Sequence, residues 1–548
     1  MTVYTDREAR TKPGAGLGAA GVAEKAAPDR KWWALVAVCI ALFAVCLNTM
    51  AINNALPAIG SELRISVAGL QWAINAYVLT CAALVVPGGQ LGDLFGRRRV
   101  FLVGGIGGFA AGSVLVALSR GEGLLIAGRV VQGLGAACIL PATMAIINGA
   151  FRKEERGTAM GVWGAITGLG FALGPVVGGF FADTLGWQWL WWMNLPLLAA
   201  GVALTCWAVP ESRNEAQKPQ LDIPGVLLLG TGLFALMLGL NRGPHWGWES
   251  GRVLGLLGAA LALLAAFVVL ELRLANPLVH FRLFREPVLV ASCAATFLMT
   301  YVMIVVLLMA SLYLQNFLLF DYSAVQAGLA VLPLNLVLFV LSLFVGRVTG
   351  RLGVRWPLVG GFLLLAVGLY QLSRVQVHSD YGSLWLPFTV LGLGLGLTMG
   401  PSSGIGVAVV PADRVGEACG VINVSRYVAL AFGVTVGMLV FAATSLAQLN
   451  TVLDQAGLGP AEERELDLLL TGMQSSGQET LKKVPEELRG TFAEGAREAA
   501  VTGFASTMRV TALAALLGAV LSALLLGDKP HHSHHPAAPV LTHSHRPG

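Results

Sequence analysis

The sequence predicts an all-α polytopic membrane protein with fourteen transmembrane helices, and three observations carry that prediction. Of the 548 residues, 55% are hydrophobic and only 12% charged, with a mean hydropathy of +0.71, so the bilayer rather than water is the solvent to reason from. Apolar stretches recur along nearly the whole length at about the 20 residues a helix needs to cross roughly 30 Å of hydrocarbon. The polar loops between them alternate between cation-rich and cation-poor. Hydrocarbon offers no partner to open backbone, so each stretch is a helix.

Residues 1–31 are polar, rich in Ala, Gly and Lys/Arg, and hold no apolar core before Trp32, which predicts a disordered cytoplasmic N-terminus and not a cleaved signal peptide. Six spans follow in an N-terminal half, 32–210, at 33–55, 68–91, 99–118, 122–149, 158–182 and 187–208. Two more, 223–241 and 252–272, form an insertion over 221–275. The C-terminal half, 287–526, carries 288–314, 324–346, 356–373, 383–410, 416–444 and 501–526. Before its last span lies a long polar external loop, 445–500, in which Pro460 to Leu470 and Val484 to Ala500 look like amphipathic helix; it reads as a passive connector, with a lid over the exit as the alternative. Residues 527–548 form a His-rich cytoplasmic tail with His531, His532, His534, His535, His543 and His545, read as a disordered segment with incidental metal affinity.

With the N-terminus inside, the cytoplasmic loops hold Arg97, Arg98 and Arg99; Arg152, Lys153 and Arg156; Arg213 and Lys218; Arg273, Arg282 and Arg285; and Arg347, Arg351 and Arg355. The external loops hold chiefly Arg64, Arg120, Arg242, Arg252 and Arg374. This asymmetry places both termini in the cytoplasm of a multi-pass protein of the cytoplasmic (inner) membrane. Seven cysteines, all in or beside apolar spans and without metal-ligand spacing, read as buried thiols. No P-loop, HExxH or Cys/His cluster lies within the fold, which argues against an enzyme, a metal site or a cofactor. The expected partners are a small amphiphilic molecule and the bilayer, with no nucleic acid, and the chain is expected to be a monomer.

After the second span comes Gly89-Gln-Leu-Gly-Asp93-Leu-Phe-Gly96-Arg97-Arg98-Arg99, and after the tenth Gly346-Arg-Val-Thr-Gly350-Arg351-Leu-Gly353-Val-Arg355. Two similar loops eight spans apart fit two parallel halves around a midplane site. The fourth span carries Arg129-Val-Val-Gln132-Gly133-Leu-Gly135; an arginine at the membrane centre costs about 3 kcal/mol, so it faces a cavity or a partner. The fifth carries Gly170, Gly174-Pro175 and Gly178-Gly179, where glycines allow close helix approach and Pro175 a kink.

On these residues the chain resembles the major facilitator superfamily, in its fourteen-span drug/proton antiporter branch, from about Leu47 to Leu526. The resemblance implies two six-helix halves plus a two-helix insertion. It also implies a secondary active transporter exporting drugs, antibiotics or secondary metabolites by alternating access. Gly89, Asp93, Gly96, Arg97 and Arg98 are similar to its motif A, a cytoplasmic latch in which Asp93 and Arg97 pair. Arg129, Gln132 and Gly133 look like motif B, and Gly170, Gly174, Pro175, Gly178 and Gly179 like motif C, the antiporter signature. Trp72, Tyr77, the run Trp189 to Pro196, Asp222 with Gly225, and Arg426 in the thirteenth span also resemble the branch. Asn48, Asn53, Asn75, Arg129 and Arg426 are the candidates for lining the cavity; Asn148, Asn335 and Asn423 are further polar residues of the spans.

The first span departs from the family's pattern. Asn48 stands where that branch has an aspartate, and no Asp or Glu lies near mid-depth in any predicted span. Three readings of the coupling stay open. An anionic substrate can leave on the membrane potential alone, worth roughly 2.3 kcal/mol per charge at about 100 mV. Alternatively Asp93 or the substrate carries a proton, or the chain is uncoupled. With Arg129 and Arg426 the strong charges inside, the cavity is expected to favour anionic or neutral amphiphiles. A lipid flippase on the same fold and a non-transporting membrane sensor are the alternative functions.

Overall fold

The computed structural model describes residues 30–527 apart from 66, 213–221, 275–276, 278, 317, 412–413 and 456–488. The expected N-terminal segment, the His-rich tail beyond Gly527 and the Pro460–Leu470 segment lie outside the described residues. So do the side chains of Asn53 and Pro175.

Among the described residues, fourteen helices are long and apolar enough to cross a membrane. They are α1 (Arg30–Leu63), α2 (Val67–Phe95), α3 (Arg97–Ala117), α4 (Glu122–Ala150), α5 (Lys153–Thr184) and α6 (Trp189–Ala208) in the first half. The insertion is α7 (Ile223–Trp246) and α8 (Gly251–Glu271). The second half is α9 (Pro287–Gln315), α10 (Leu332–Leu352), α11 (Arg355–Leu372), α12 (Trp385–Ala408), α13 (Val415–Gln455) and α14 (Arg489–Leu525). α1 packs on α5 and α6, and α2 and α3 on α4; in the second half α12 packs on α10 and α11, and α14 on α11 and α13. The halves meet where α5 lies against α10 and α12, and α2 against α13. α7 packs on α8 and also touches both α2 and α13.

Glycine sets the closeness of these contacts. On α5 one stripe, Gly170, Gly174 and Gly178, faces α1 so closely that a Cβ at each would strike Cys46, Met50 and Ala51 respectively. The stripe before it, Gly161, Gly164 and Gly168, faces Ser342, Gly400 and Leu338 of the other half. α5 therefore uses one end of its length to bind α1 and the other to bind the second half.

Three details differ from the expectation. The external loop is shorter than 445–500, because α13 runs to Gln455 and α14 begins at Arg489. Leu449, Phe492, Ala496 and Ala499 are buried there, so the two helices hold each other beyond the apolar stretch. The tenth span is broken: a short helix Ala324–Ala330, capped by Ser323 and Gln326, ends before Pro333 opens α10. Finally, Cys206 is exposed rather than buried.

Candidate functional site

The latch is local in sequence and long-range in consequence. Asp93 is in the last turn of α2, and Gly96, at φ 106°, turns the chain into α3. That turn brings Arg97 back so that its Nε and Nη2 donate to Asp93 Oδ1 at 3.0 and 2.9 Å. The same carboxylate accepts the backbone N–H groups of Gly416 and Glu417, in the first turn of α13. Those are donors with no partner inside their own helix, at the positive end of its dipole. One buried acid thus neutralises an arginine of its own half and caps a helix of the other. Arg98 turns elsewhere and donates to the Cys206 carbonyl at 2.7 Å. Glu211 accepts the N–H groups of Arg98 and Arg99, capping α3.

The latch continues into the insertion through residues of which sequence reasoning singled out only Asp222 and Gly225. Glu417 accepts the backbone N–H of His280 and faces its ring Nδ1 at 3.1 Å. Next to it, Glu271 at the end of α8 accepts the N–H of Val279 at 3.0 Å. Asp222 caps α7 through the N–H of Gly225 at 2.9 Å. A first-turn glutamate beside Gly416 was the available signal, but nothing in the sequence pairs it with a histidine 137 residues away.

Inside the first half lies a chain of polar side chains. Asn48 Nδ2 donates to Asn194 Oδ1 at 2.8 Å, and Asn194 Nδ2 to Ser113 Oγ at 3.2 Å. Gln132 Nε2 also donates to Ser113 Oγ at 2.8 Å, while its Oε1 accepts from Arg129 Nη1 at 3.0 Å. Arg129 Nε reaches the Ala73 carbonyl at 3.0 Å, and its guanidinium lies 4.3 Å from the Tyr77 ring centre. Asn48, Arg129 and Gln132 are fully buried, and Asn75 nearly so. The expectation that Asn48 and Arg129 line an open cavity is corrected for this conformation. Both are covered inside the half and hydrogen-bonded there, since an amide at position 48 offers Asn194 a donor, while among the described residues Asn48 Oδ1 and Arg129 Nη2 meet no partner. Gly133, next to Gln132, lets α4 approach the Tyr77 carbonyl of α2. Gly179 is buried on α5.

Arg426 is placed differently. It is 5% exposed, on α13, at the seam between the halves. Nη2 donates to Ser403 Oγ of α12 at 2.8 Å, and the guanidinium lies 4.8 Å from the ring centre of Trp163, on α5 of the other half. Trp163 is held by its Nε1 donating to Thr143 Oγ1 at 3.0 Å. One residue on, Tyr427 meets Cys81 of α2 at 2.9 Å, and Asn423 faces Met144 of α4 at 3.5 Å. Among the described residues neither Arg129 nor Arg426 forms an ion pair. A guanidinium over an aromatic face, with no carboxylate beside it, has the chemistry to receive a planar or anionic group.

The chain matches the model of the Major Facilitator Superfamily over residues 38–434. The Tetracenomycin C resistance and export protein of Streptomyces glaucescens is 30% identical over 90% of this chain and 91% of its own. The Puromycin resistance protein pur8 of Streptomyces alboniger is 36% identical over 74% of this chain and 81% of its own. The Multidrug resistance protein Stp of Mycobacterium tuberculosis is 33% identical over 77% of each. Among solved structures, the human organic anion transporter MFSD10 aligns with a TM-score of 0.56 at 15% identity, over 90% of this chain and 99% of that one. The proton:xylose symporter XylE aligns with a TM-score of 0.57 at 14% identity, over 90% and 95%. At such identities the likeness is one of fold.

Proposed function

We propose that this chain, which belongs to the Major Facilitator Superfamily and is a multi-pass membrane transporter, exports small amphiphilic compounds by alternating access. Relatives named for export of, or resistance to, tetracenomycin C, puromycin and multiple drugs support that substrate class. In this reading both termini and the Asp93 latch face the cytoplasm, and the chain works as a monomer in the cytoplasmic membrane. The latch stabilises the state open to the outside. Gly174 and Pro175 allow the movement between states.

The observation that carries the finer reading is Arg426 on Trp163, an uncompensated cation at the seam of the two halves. It favours anionic or neutral aromatic amphiphiles over cations. Asn48 cannot carry a proton, so the membrane potential acting on a charged substrate supplies the drive.

Efflux from proteoliposomes under separately imposed pH and voltage gradients tests both parts. Native protein is expected to follow voltage, to prefer an anionic amphiphile over a matched cation, and to lose about tenfold of that preference in Arg426→Gln. Transport that follows pH instead, in native protein as in Asn48→Asp, would place the coupling proton on Asp93 or on the substrate.

A further inference from the structure

On the end of the bundle opposite the latch, α11 and α14 carry two parallel lipid-facing stripes, and each stripe ends in an arginine. On α11 the exposed residues Leu363, Val367 and Tyr370 rise at four- and three-residue steps to Arg374, just past the helix end. On α14 the exposed residues Leu513, Leu516, Val520 and Leu524 share a face with Arg509. At 1.5 Å per residue, Arg509 stands about 24 Å from the far end of α14, close to the edge of the hydrocarbon. The two helices pack together, and between the end of α11 and the middle of α14 a cavity of about 280 Å³ is lined by both arginines with the polar side chains of Ser373, Gln376 and Thr502.

Among the described residues both cations lack an acid partner. Arg374 donates to the Tyr370 hydroxyl at 3.1 Å, and among the described residues neither arginine forms an ion pair. The nearby Glu494 is taken by Arg497 at 3.3 Å and His378 at 3.9 Å. Guanidinium forks recognise phosphate oxygens by paired hydrogen bonds, and hydroxyl and amide groups beside them suit a glycerol. The cavity has room for a headgroup, and the two exposed apolar stripes below it are surfaces that suit acyl chains. We propose that the cleft between α11 and α14 is a binding site for an anionic phospholipid of that leaflet, its phosphate held between Arg374 and Arg509. Two cations without an acid favour a headgroup of net negative charge over a zwitterionic one.

The test is native mass spectrometry and thermal unfolding of purified protein in detergent, titrated with phosphatidylglycerol or with phosphatidylcholine of the same chains. Phosphatidylglycerol is expected to occupy one site at about tenfold lower concentration, the effect of one charge-assisted contact. The Arg374→Gln/Arg509→Gln double variant is expected to lose the preference, and the double lysine variant to keep part of it. Arg252→Gln, an exposed cation on the same end but outside the cleft, is expected to leave it unchanged. Equal binding of the two lipids, or a preference that survives the double glutamine variant, overturns the site. Glycerol phosphate matching the lipid at equal concentration shows that the cleft takes a free phosphate and overturns the lipid assignment.

Discussion

The loops after α2 and after α10 begin alike and end differently. Each presses a glycine on the opposite half: a Cβ at Gly89 would strike the Gly416 carbonyl, and one at Gly346 the backbone of Gly157 and Thr158. Each then reverses at a glycine with positive φ, Gly96 at 106° and Gly353 at 74°. Four residues past the first glycine, however, one loop has Asp93 and the other Gly350. The reason is in the helices they meet. α13 starts at Val415, so Gly416 and Glu417 offer first-turn N–H groups that need an acceptor. α5 starts at Lys153, so Gly157 is already past its first turn. The two sides of the seam share a steric fit, and only one of them adds a charge.

That difference can be broken or sharpened by mutation. The largest effect is expected from Asp93→Ala, which leaves Arg97 without its buried partner and α13 without its cap, at about 3 kcal/mol against the closed latch. Asp93→Asn keeps a capping acceptor and is expected to cut export without abolishing membrane insertion. Full export at normal expression, measured in proteoliposomes, would count against the latch. Next come Gly89→Ala and Gly346→Ala, each adding a Cβ against backbone, at about 1–3 kcal/mol. They are expected to impair export equally, because the steric seam is common to both sides; an effect at Gly89 alone would make the charge and not the fit decisive. The smallest is expected from Gly350→Asp, within about 0.5 kcal/mol, since a side chain added there meets nothing within 4 Å. A rise in thermal stability as large as the loss in Asp93→Asn would show that the second side accepts a charge after all.

Apolar length alone made the fourteen spans legible, because lipid forces a helix wherever the backbone must cross it. The ends were less so. Beyond the hydrocarbon hydropathy is silent, and the continuation of α13 and α14 rests on Leu449, Phe492 and Ala496 packing in a region that reads as polar loop. The latch was legible where its partners are neighbours, as with Asp93 and Arg97, and illegible where the fold supplies them, as with Gly416. Asn48 stood out as a departure, but its partner Asn194 is 146 residues away and no local pattern announces it. Trp163 gave no sign either: an aromatic among glycines is ordinary core until Arg426 is found on its face.

The linker between the insertion and the second half has a mechanical consequence. Two consecutive amides, those of Val279 and His280, are gripped by Glu271 of α8 and Glu417 of α13, so the insertion is strapped to the second half at one end. Among the described residues its main contact with the first half is the lateral one of α7 on α2. In the proposed alternating access, the insertion is therefore expected to ride as a passenger on the second half, with the slip taken up on the surface between α7 and α2.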